Sequence, residues 1–386
     1  MKSCCIFCSI IIWGSLFLCG CGGVLEAEEL AVPLGTGCEL AGPNNLLEIS
    51  AQFSVPAGSS EQGAGSESKF IVLTSTGRTV TEATSKLAHM LARTPEFNHV
   101  QSFIMGEKLA QINVGLLADF IIRIPDARQT TALFVSQGNS PDEILNTATP
   151  LEDFSGLGLA NMISIQERQI GIYQPVYFGD FFNKLTKNGI EPVVPQVTIE
   201  NNGDRKVLKL AGTAVFRKNR MVGELDESES RAFHLLNPRG AEGGLFIVTW
   251  DNDTLITMEN IRIRAKNTAL IDKEGSLKMK IELNGEGNFY EQTANAQILT
   301  LDGIKKVNQK TEQQIKHDIE QCIKKVQLMG SDIFGWGLIF QQQYPAAWEH
   351  MKSDWPHYFA QIEPQVTVTF ETRRTYLIDQ SFTFRE

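Results

Sequence analysis

The residues with the clearest chemical role surround Cys21. The chain starts with Lys2, continues with an apolar run from Ile6 to Leu18, and then reads Leu18-Cys19-Gly20-Cys21. A cationic start, a short apolar core and a small residue before the cleavage point are typical of a secretory signal. A Cys directly after the small residue, with Leu three positions earlier, supplies the thiol that is acylated in lipoproteins. We therefore predict residues 1–20 as a lipoprotein signal peptide and Cys21 as the lipidation site.

The apolar run has about thirteen residues, and a helix needs about twenty to span a bilayer. Two other interpretations stay open here, namely plain secretion and a retained anchor helix. The small and acidic residues 21–29 predict a short tether after Cys21. No later segment reaches about eighteen apolar residues, so we predict no other membrane span.

Motifs for catalysis and cofactor binding are absent from the sequence. It contains no GxSxG, no HExxH, no Gly-Lys pair of a phosphate loop and, after residue 20, no CxxC. We therefore predict that the chain is not an enzyme, with no catalytic, cofactor-binding or metal-binding residues. Its ligand-binding residues cannot be named from the sequence.

Two acidic or histidine clusters resemble metal sites only in part. His350 and Asp354 are four residues apart, but Pro356 ends that helix before His357 can join them. We predict a polar helix end there. Residues 251–253, Asp-Asn-Asp, resemble the start of a calcium loop, but Leu and Ile follow where a ligand and a Gly are required. A β-turn between two strands is the favoured interpretation.

Composition narrows the function further. The chain has 386 residues, is 42% hydrophobic and carries a formal net charge of −10. An acidic surface argues against nucleic acid as a partner. Beyond Cys21 the cysteines are Cys38 and Cys322, which we predict to be buried free thiols, with a disulfide as the alternative.

Strand and helix patterns place these residues in several modules. Alternating strands and helices predict an N-terminal α/β domain over residues 30–137. In it the Thr79 to Glu82 capping box starts a helix that runs to Arg93, and a second helix is predicted from Glu107 to Arg123. A smaller, mainly helical domain is predicted over 138–202, and the turn at 203–206 is a candidate linker. The predicted fold class is α+β, with mixed or antiparallel sheets covered by helices.

A C-terminal α+β domain is predicted over residues 207–377, in which Asp226 and Glu229 form a capping box for a short helix to Leu236. Two long alternating strands, Leu255 to Lys266 and Ser276 to Tyr290, predict an antiparallel sheet with one buried face. The longest helix, from about Asp302 to Met329, has an apolar stripe that packs on this sheet. Its basic residues are interpreted as a solvated helix face, with an acidic partner or a membrane surface as the alternative. They are Lys305, Lys306, Lys316, Lys324 and Lys325.

An ordered set of short segments resembles a known family. Leu210 to Phe216 (LAGTAVF), Met221 to Leu225 (MVGEL) and Asp332 to Gly335 (DIFG) occur in the family's order, with Tyr344-Pro345 and Arg373 to Thr375 after them. This set is similar to the Ger(x)C family, the lipoprotein C subunits of spore germinant receptors. The resemblance covers nearly the whole chain after Cys21.

The resemblance implies a non-catalytic receptor subunit needed for nutrient-triggered spore germination. It implies receptor A and B membrane subunits as partners. Whether this chain contacts a small germinant directly or only through those subunits stays open. It also implies a lipid anchor at Cys21 on the outer face of the spore inner membrane. The alternative is a solute-binding lipoprotein that delivers a ligand to a transporter, which a deep pocket between two lobes would favour.

Overall fold

The computed structural model describes residues 26–55, 69–123, 128–147, 149–237, 240–293 and 298–375. The signal segment, Cys21 and most of the predicted tether therefore lie outside the described residues, as does the Gly/Ser-rich stretch 57–68. Two large sheets covered by helices form the described part, which confirms the predicted α+β class. Across those ranges no helix has the length and apolar character needed to cross a membrane.

Eight of the first ten strands form one sheet. These ten strands are β1 (Leu30–Ala31), β2 (Pro33–Ala41), β3 (Leu46–Ser54), β4 (Phe70–Gly77), β5 (Thr94–Pro95), β6 (Ser102–Met105), β7 (Ala132–Ser136), β8 (Val193–Asn202), β9 (Arg205–Arg217) and β10 (Arg220–Leu225). Strands β1 and β5 form a short parallel pair, and the others follow the order β10-β9-β8-β7-β6-β2-β3-β4. The centre, β2-β6-β7-β8, is parallel and the flanks are antiparallel. Every residue of β7 is buried, as expected where helices cover both faces.

Helices pack on both faces of this first sheet. They are α1 (Val80–Ala88), α2 (Glu107–Ile112), α3 (Gly115–Arg123), α4 (Pro141–Asn146), α5 (Ser155–Ile165) and α6 (Phe178–Leu185). Helices α1, α2, α3 and α6 share a core with Ile49 and Met105, whereas α4 and α5 pack with Ile104 and Phe134 on the opposite face. The predicted middle domain thus contributes one helical layer of the sheet.

The first two predicted helices are shorter than expected. Thr79 accepts the Glu82 backbone N–H at 3.1 Å and caps α1, but the Glu82 carboxylate accepts the Arg78 backbone N–H instead of closing the predicted box. Helix α1 then ends at Ala88, five residues before the predicted Arg93.

The helix predicted over residues 107–123 is divided between α2 and α3. The Val114 N–H donates to the Asn219 carbonyl at 2.9 Å. The Asn113 side chain accepts the Gly115 N–H at 2.8 Å. The break therefore follows from a contact with the turn between β9 and β10, which is distant in sequence.

Gly203 and Asp204 form a hairpin turn, and Arg205 and Lys206 already belong to β9. Strands β8 and β9 pair from Val193 with Val215 to Asn202 with Arg205, inside the eight-stranded sheet. The segment predicted as a linker is therefore a turn within one sheet, because β9 satisfies the backbone groups along the β8 edge. The domain boundaries predicted near 137 and 202 stay predictions.

The remaining strands build a second sheet. They are β11 (Ala241–Glu242), β12 (Leu245–Thr249), β13 (Leu255–Ile271), β14 (Leu277–Gln292) and β15 (Glu363–Arg374). Their order is β11-β13-β14-β15, with β12 also paired to β13. The helices here are α7 (Glu227–Leu235), α8 (Leu301–Met329), α9 (Trp336–Gln343), α10 (Pro345–Met351) and α11 (Trp355–Gln361). The predicted capping box of Asp226 and Glu229 starts α7.

The second sheet is mixed, and the prediction of an antiparallel sheet is wrong for its last strand. Strands β13 and β14 are antiparallel, but β15 lies parallel to β14. A parallel return requires a long crossover, which helices α8 to α11 supply. The apolar stripe of α8 is buried as predicted. Its buried apolar members include Val307, Ile315, Ile319, Cys322, Ile323 and Val326.

Candidate functional site

The predicted lipidation site, Cys21, lies outside the described residues. Cys38 on β2 and Cys322 on α8 are both buried and free, which agrees with the prediction of buried thiols. Burial raises the pKa of each thiol above its ordinary value. Both cysteines therefore act as small apolar core residues.

The histidines and aspartates weighed as metal ligands serve the local structure. His350 lies in α10 and His357 in α11, where the His357 ring Nε2 is 2.7 Å from the Gln361 amide. Asp251 accepts the backbone N–H groups of Asp253 and Thr254, in the predicted turn between β12 and β13. No group of three metal-ligating side chains occurs in the described ranges.

Several lysines of α8 have partners within the protein. The Lys306 ammonium lies 4.5 Å from the centre of the Trp250 ring. Lys310 donates to the Thr249 carbonyl at 2.8 Å, and Lys325 forms an ion pair with Glu229. These contacts attach the helix to β12 and α7. Of the five lysines in the predicted basic face, Lys306 and Lys325 therefore have structural contacts, while Lys305 and Lys324 are exposed.

One site in the described residues has the form of a ligand pocket, a cavity of about 780 Å³ on one face of the first sheet. We call it the α1–α3 cavity, because it lies between these two helices and the sheet. Strands β2, β3 and β6 form its floor, and the segment 95–100 closes one side. Its apolar lining consists of Leu47, Ile49, Val80, Pro95, Phe97, Val100, Phe103, Leu116, Phe120, Ile121 and Phe178.

Charged side chains also line the α1–α3 cavity, and most of them are paired. Arg78 forms an ion pair with Glu82 at 3.1 Å, and Arg123 with Asp119 at 2.8 Å. Hydrogen bonds from the Arg78 backbone and then from the Lys86 and Arg78 side chains lower the pKa of Glu82 to about 2. The cavity thus combines apolar walls with a few polar groups, the usual composition of a small-molecule site.

Two family models match the chain in order. Residues 24–199 match the model described as "Spore germination protein N-terminal domain", and residues 211–376 match "Spore germination B3/ GerAC like, C-terminal". The chain belongs to the GerAC-like family of spore germination proteins. The resemblance to Ger(x)C proteins, the C subunits of germinant receptors, is thereby confirmed. The GerAC-like family is associated with the spore inner membrane.

Relatives of this GerAC-like chain match over almost their full length. The "Putative spore germination protein YfkR" of Bacillus subtilis (strain 168) is 26% identical, over 92% of this chain and 93% of that protein. The "Spore germination protein KC" of the same organism is 22% identical, over 97% and 96%. A crystal structure of the GerBC protein aligns with a TM-score of 0.58 at 18% identity, covering 87% of this chain and 97% of that one. That likeness establishes the fold.

The two GerAC-like segments meet at a buried junction around Asp332. Its carboxylate accepts the backbone N–H groups of Trp336 and Gly337 at 3.0 and 2.8 Å, and the Trp355 indole N–H at 2.9 Å. Burial raises the pKa of Asp332 to about 6. Its backbone carbonyl accepts the Glu191 N–H at 2.8 Å. Asp332 therefore caps α9 and joins it to the segment before β8.

Sequence reasoning did not identify the α1–α3 cavity. Its lining comes from residues between 36 and 178, which parallel strand pairing brings together. A local signal was present in Arg78, Arg123 and Arg128, since each lies just outside or at the end of a helix predicted to cover the sheet. Cationic groups at such positions are also common on ordinary surfaces, so they do not specify a site.

Proposed function

We propose that this chain is a lipid-anchored, non-catalytic subunit of a spore germinant receptor, required for nutrient-triggered germination. The observation that carries the proposal is family membership over both halves of the chain. The Leu18 to Cys21 motif supports the anchor. Membrane A and B subunits are the proposed partners, and the outer face of the spore inner membrane is the proposed location.

A lipid anchor has a direct physical effect on such an assembly. Two acyl chains bury enough methylene groups to hold a protein stably on a membrane. Confinement to a thin layer raises the effective concentration of the subunit near membrane partners without any new contact. We propose that this chain supports assembly and response of the receptor in this way.

Deletion of the gene in a spore-former without paralogues tests the role. We expect impaired germination with at least one nutrient and unchanged vegetative growth. Complementation with the wild-type gene should restore germination, whereas a Cys21→Ser variant should leave the protein in the soluble fraction and restore it poorly. Normal germination of the deletion strain with every nutrient would contradict the proposal.

A solute-binding lipoprotein, the alternative function, would have a deep pocket between two lobes. The α1–α3 cavity lies between one sheet and its own helices, so it does not have that form. No described feature favours delivery of a solute to a transporter.

A further inference from the structure

The α1–α3 cavity has the dimensions of a site for a small organic molecule. Its volume of about 780 Å³ lies within the roughly 300–1,000 Å³ typical of ligand pockets. The cavity is open to solvent on one side, with Arg78, Leu116 and Arg128 exposed at its rim. A ligand can therefore enter it from solution.

The inner walls match an apolar ligand body. Phe103 of β6 and Phe178 of α6 contact each other with ring centres 5.2 Å apart, and both line the cavity. Ile49 contributes to the floor from β3, and Val80 to the side from α1. Burying apolar surface against such walls contributes about 25 cal/mol per Å².

Of the three guanidinium groups that line the cavity, Arg128 has no ion pair in the described ranges, which suits an anionic ligand. Arg78, Arg123 and Arg128 line it, against the carboxylates Glu96 and Asp119. Asp119 is paired with Arg123, and Glu96 already accepts the Asn98 backbone N–H at 3.1 Å. Arg78 is likewise paired, with Glu82, so two of the three guanidinium groups already have carboxylate partners within the protein.

Arg128 is the group available to bind that anion. It is exposed, lines the cavity, and has no ion pair or side-chain hydrogen bond with any residue in the described ranges. A guanidinium group offers a planar set of donors that fits a carboxylate with two parallel hydrogen bonds.

We propose that the α1–α3 cavity binds a small, water-soluble organic carboxylate, with its apolar body on the sheet and its carboxylate at Arg128. The receptor subunit would then have a ligand site of its own. This inference does not depend on the proposed partners, because binding is measured on the full-length protein without them.

Calorimetric titration of the full-length protein in phosphatidylcholine nanodiscs tests the proposal, with empty nanodiscs as the blank. Three probes share one apolar body and differ in charge: 4-phenylbutyrate, 4-phenylbutanol and 4-phenylbutylammonium. We expect saturable 1:1 binding of the carboxylate, at least about fivefold tighter than the alcohol, and weaker binding of the ammonium. Equal affinities, or no saturable binding of any probe, would overturn the proposal.

Variants assign the binding to the cavity. Arg128→Ala should weaken 4-phenylbutyrate binding by about tenfold, the value expected for one lost charge-assisted contact. Arg205→Ala, an exposed arginine in the β8–β9 hairpin, is the matched control and should leave the affinity unchanged. Thr84→Phe fills the cavity from α1 and should abolish binding. Unchanged affinity in Arg128→Ala would show that Arg128 does not bind the carboxylate, and would overturn the proposal.

A membrane lipid also has an anionic head group and an apolar body, so it is the alternative occupant of the cavity. Repeating the titration in nanodiscs that contain phosphatidylglycerol separates the two sources. A soluble ligand predicts the same affinity in both lipid compositions. A large loss of affinity with phosphatidylglycerol would show that lipid occupies the cavity, and would overturn the proposal.

Discussion

Asp332 shows how one buried carboxylate organises its surroundings. Three donors converge on it, from the first turn of α9 and from the Trp355 ring. Burial of a charge is costly, but each of these hydrogen bonds to an ionised acceptor offsets part of the cost. The side chain therefore fixes both the start of α9 and the position of α11.

Replacing Asp332 with Ala should destabilise the protein by about 3 kcal/mol or more, because three buried donors lose their acceptor. Urea denaturation followed by tryptophan fluorescence measures the change. Asp253→Ala, an exposed aspartate in the β12–β13 turn, is the matched control and should have little effect. Equal stability of the two variants would contradict the role of Asp332.

Glu191 predicts a pH dependence of stability. Burial raises its pKa from 4.5 to about 7; the Asp332 carboxylate adds to this, while a hydrogen bond from the Lys218 backbone and the charges of Lys218 and Arg217 oppose it. The folded state therefore binds a proton more tightly than the unfolded state. The resulting stability is complete below about pH 4.5 and is lost as the pH rises through about 7.

Glu191→Gln should reduce this dependence, because the amide oxygen can still accept the Lys218 N–H and does not titrate. We expect the urea midpoint of the wild type to fall from about pH 5 to about pH 8, and that of the variant to fall less. Asp332 accounts for part of the remaining slope. Glu274→Gln, in an exposed turn, should behave as the wild type. The same slope in both variants would exclude Glu191 as the source.

Helix α9 approaches the segment before β8 closely at two glycines, Gly337 and Gly189. A Cβ on Gly337 of α9 would lie 2.4 Å from the Gly189 Cα, and Gly189 itself has a φ of +84°. The segment before β8 therefore rests directly on the backbone of α9. Together with the Asp332 contacts, this approach holds the second half of the chain against the first sheet.

Gly337→Ala should destabilise the protein by about 1–3 kcal/mol, because backbone atoms cannot move away from the added methyl group. Gly179→Ala is a matched control at the same position of another helix, α6, where the nearest atom belongs to the Gln129 side chain at 3.1 Å. Thermal unfolding of both variants measures the difference. A loss as large for Gly179→Ala would show that the close approach is not the cause.

Elements with local signals were predictable, and those that depend on distant contacts were not. The cap of α7 and the stripe of α8 lie within a few turns of chain and are observed as predicted. The break at Asn113 depends on Asn219, and the parallel position of β15 depends on a crossover of many residues. The α1–α3 cavity also depends on contacts between segments that are distant in sequence, and no local sequence pattern predicts such contacts.

At the scale of the whole molecule, the first sheet extends beyond the predicted boundary near residue 202. The family segments end at 199 and resume at 211, and this interval lies in the hairpin of β8 and β9. Pairing across the hairpin continues for the full length of β8. The two family segments therefore share one sheet.

A fragment of residues 26–202 should aggregate, because loss of β9 exposes the unpaired edge of the buried strand β8. A fragment of residues 26–236 retains β9, β10 and α7 and should be more soluble. Size-exclusion chromatography of both fragments tests this. A monomeric, folded 26–202 fragment would show that the first segment is an independent domain.

The last strand has a consequence for the order in which the chain folds. Strand β15 pairs with β14, although helices α8 to α11 lie between the two strands in sequence. The backbone N–H groups of Phe370 and Thr372 in β15 donate to the side chains of Glu312 and Asn308 in α8. Contacts between such distant segments form slowly. The second sheet is therefore completed only after α8 to α11 and then β15 have been synthesised. If the predicted signal directs export, we expect this late completion of the second sheet to favour translocation, which requires an unfolded chain.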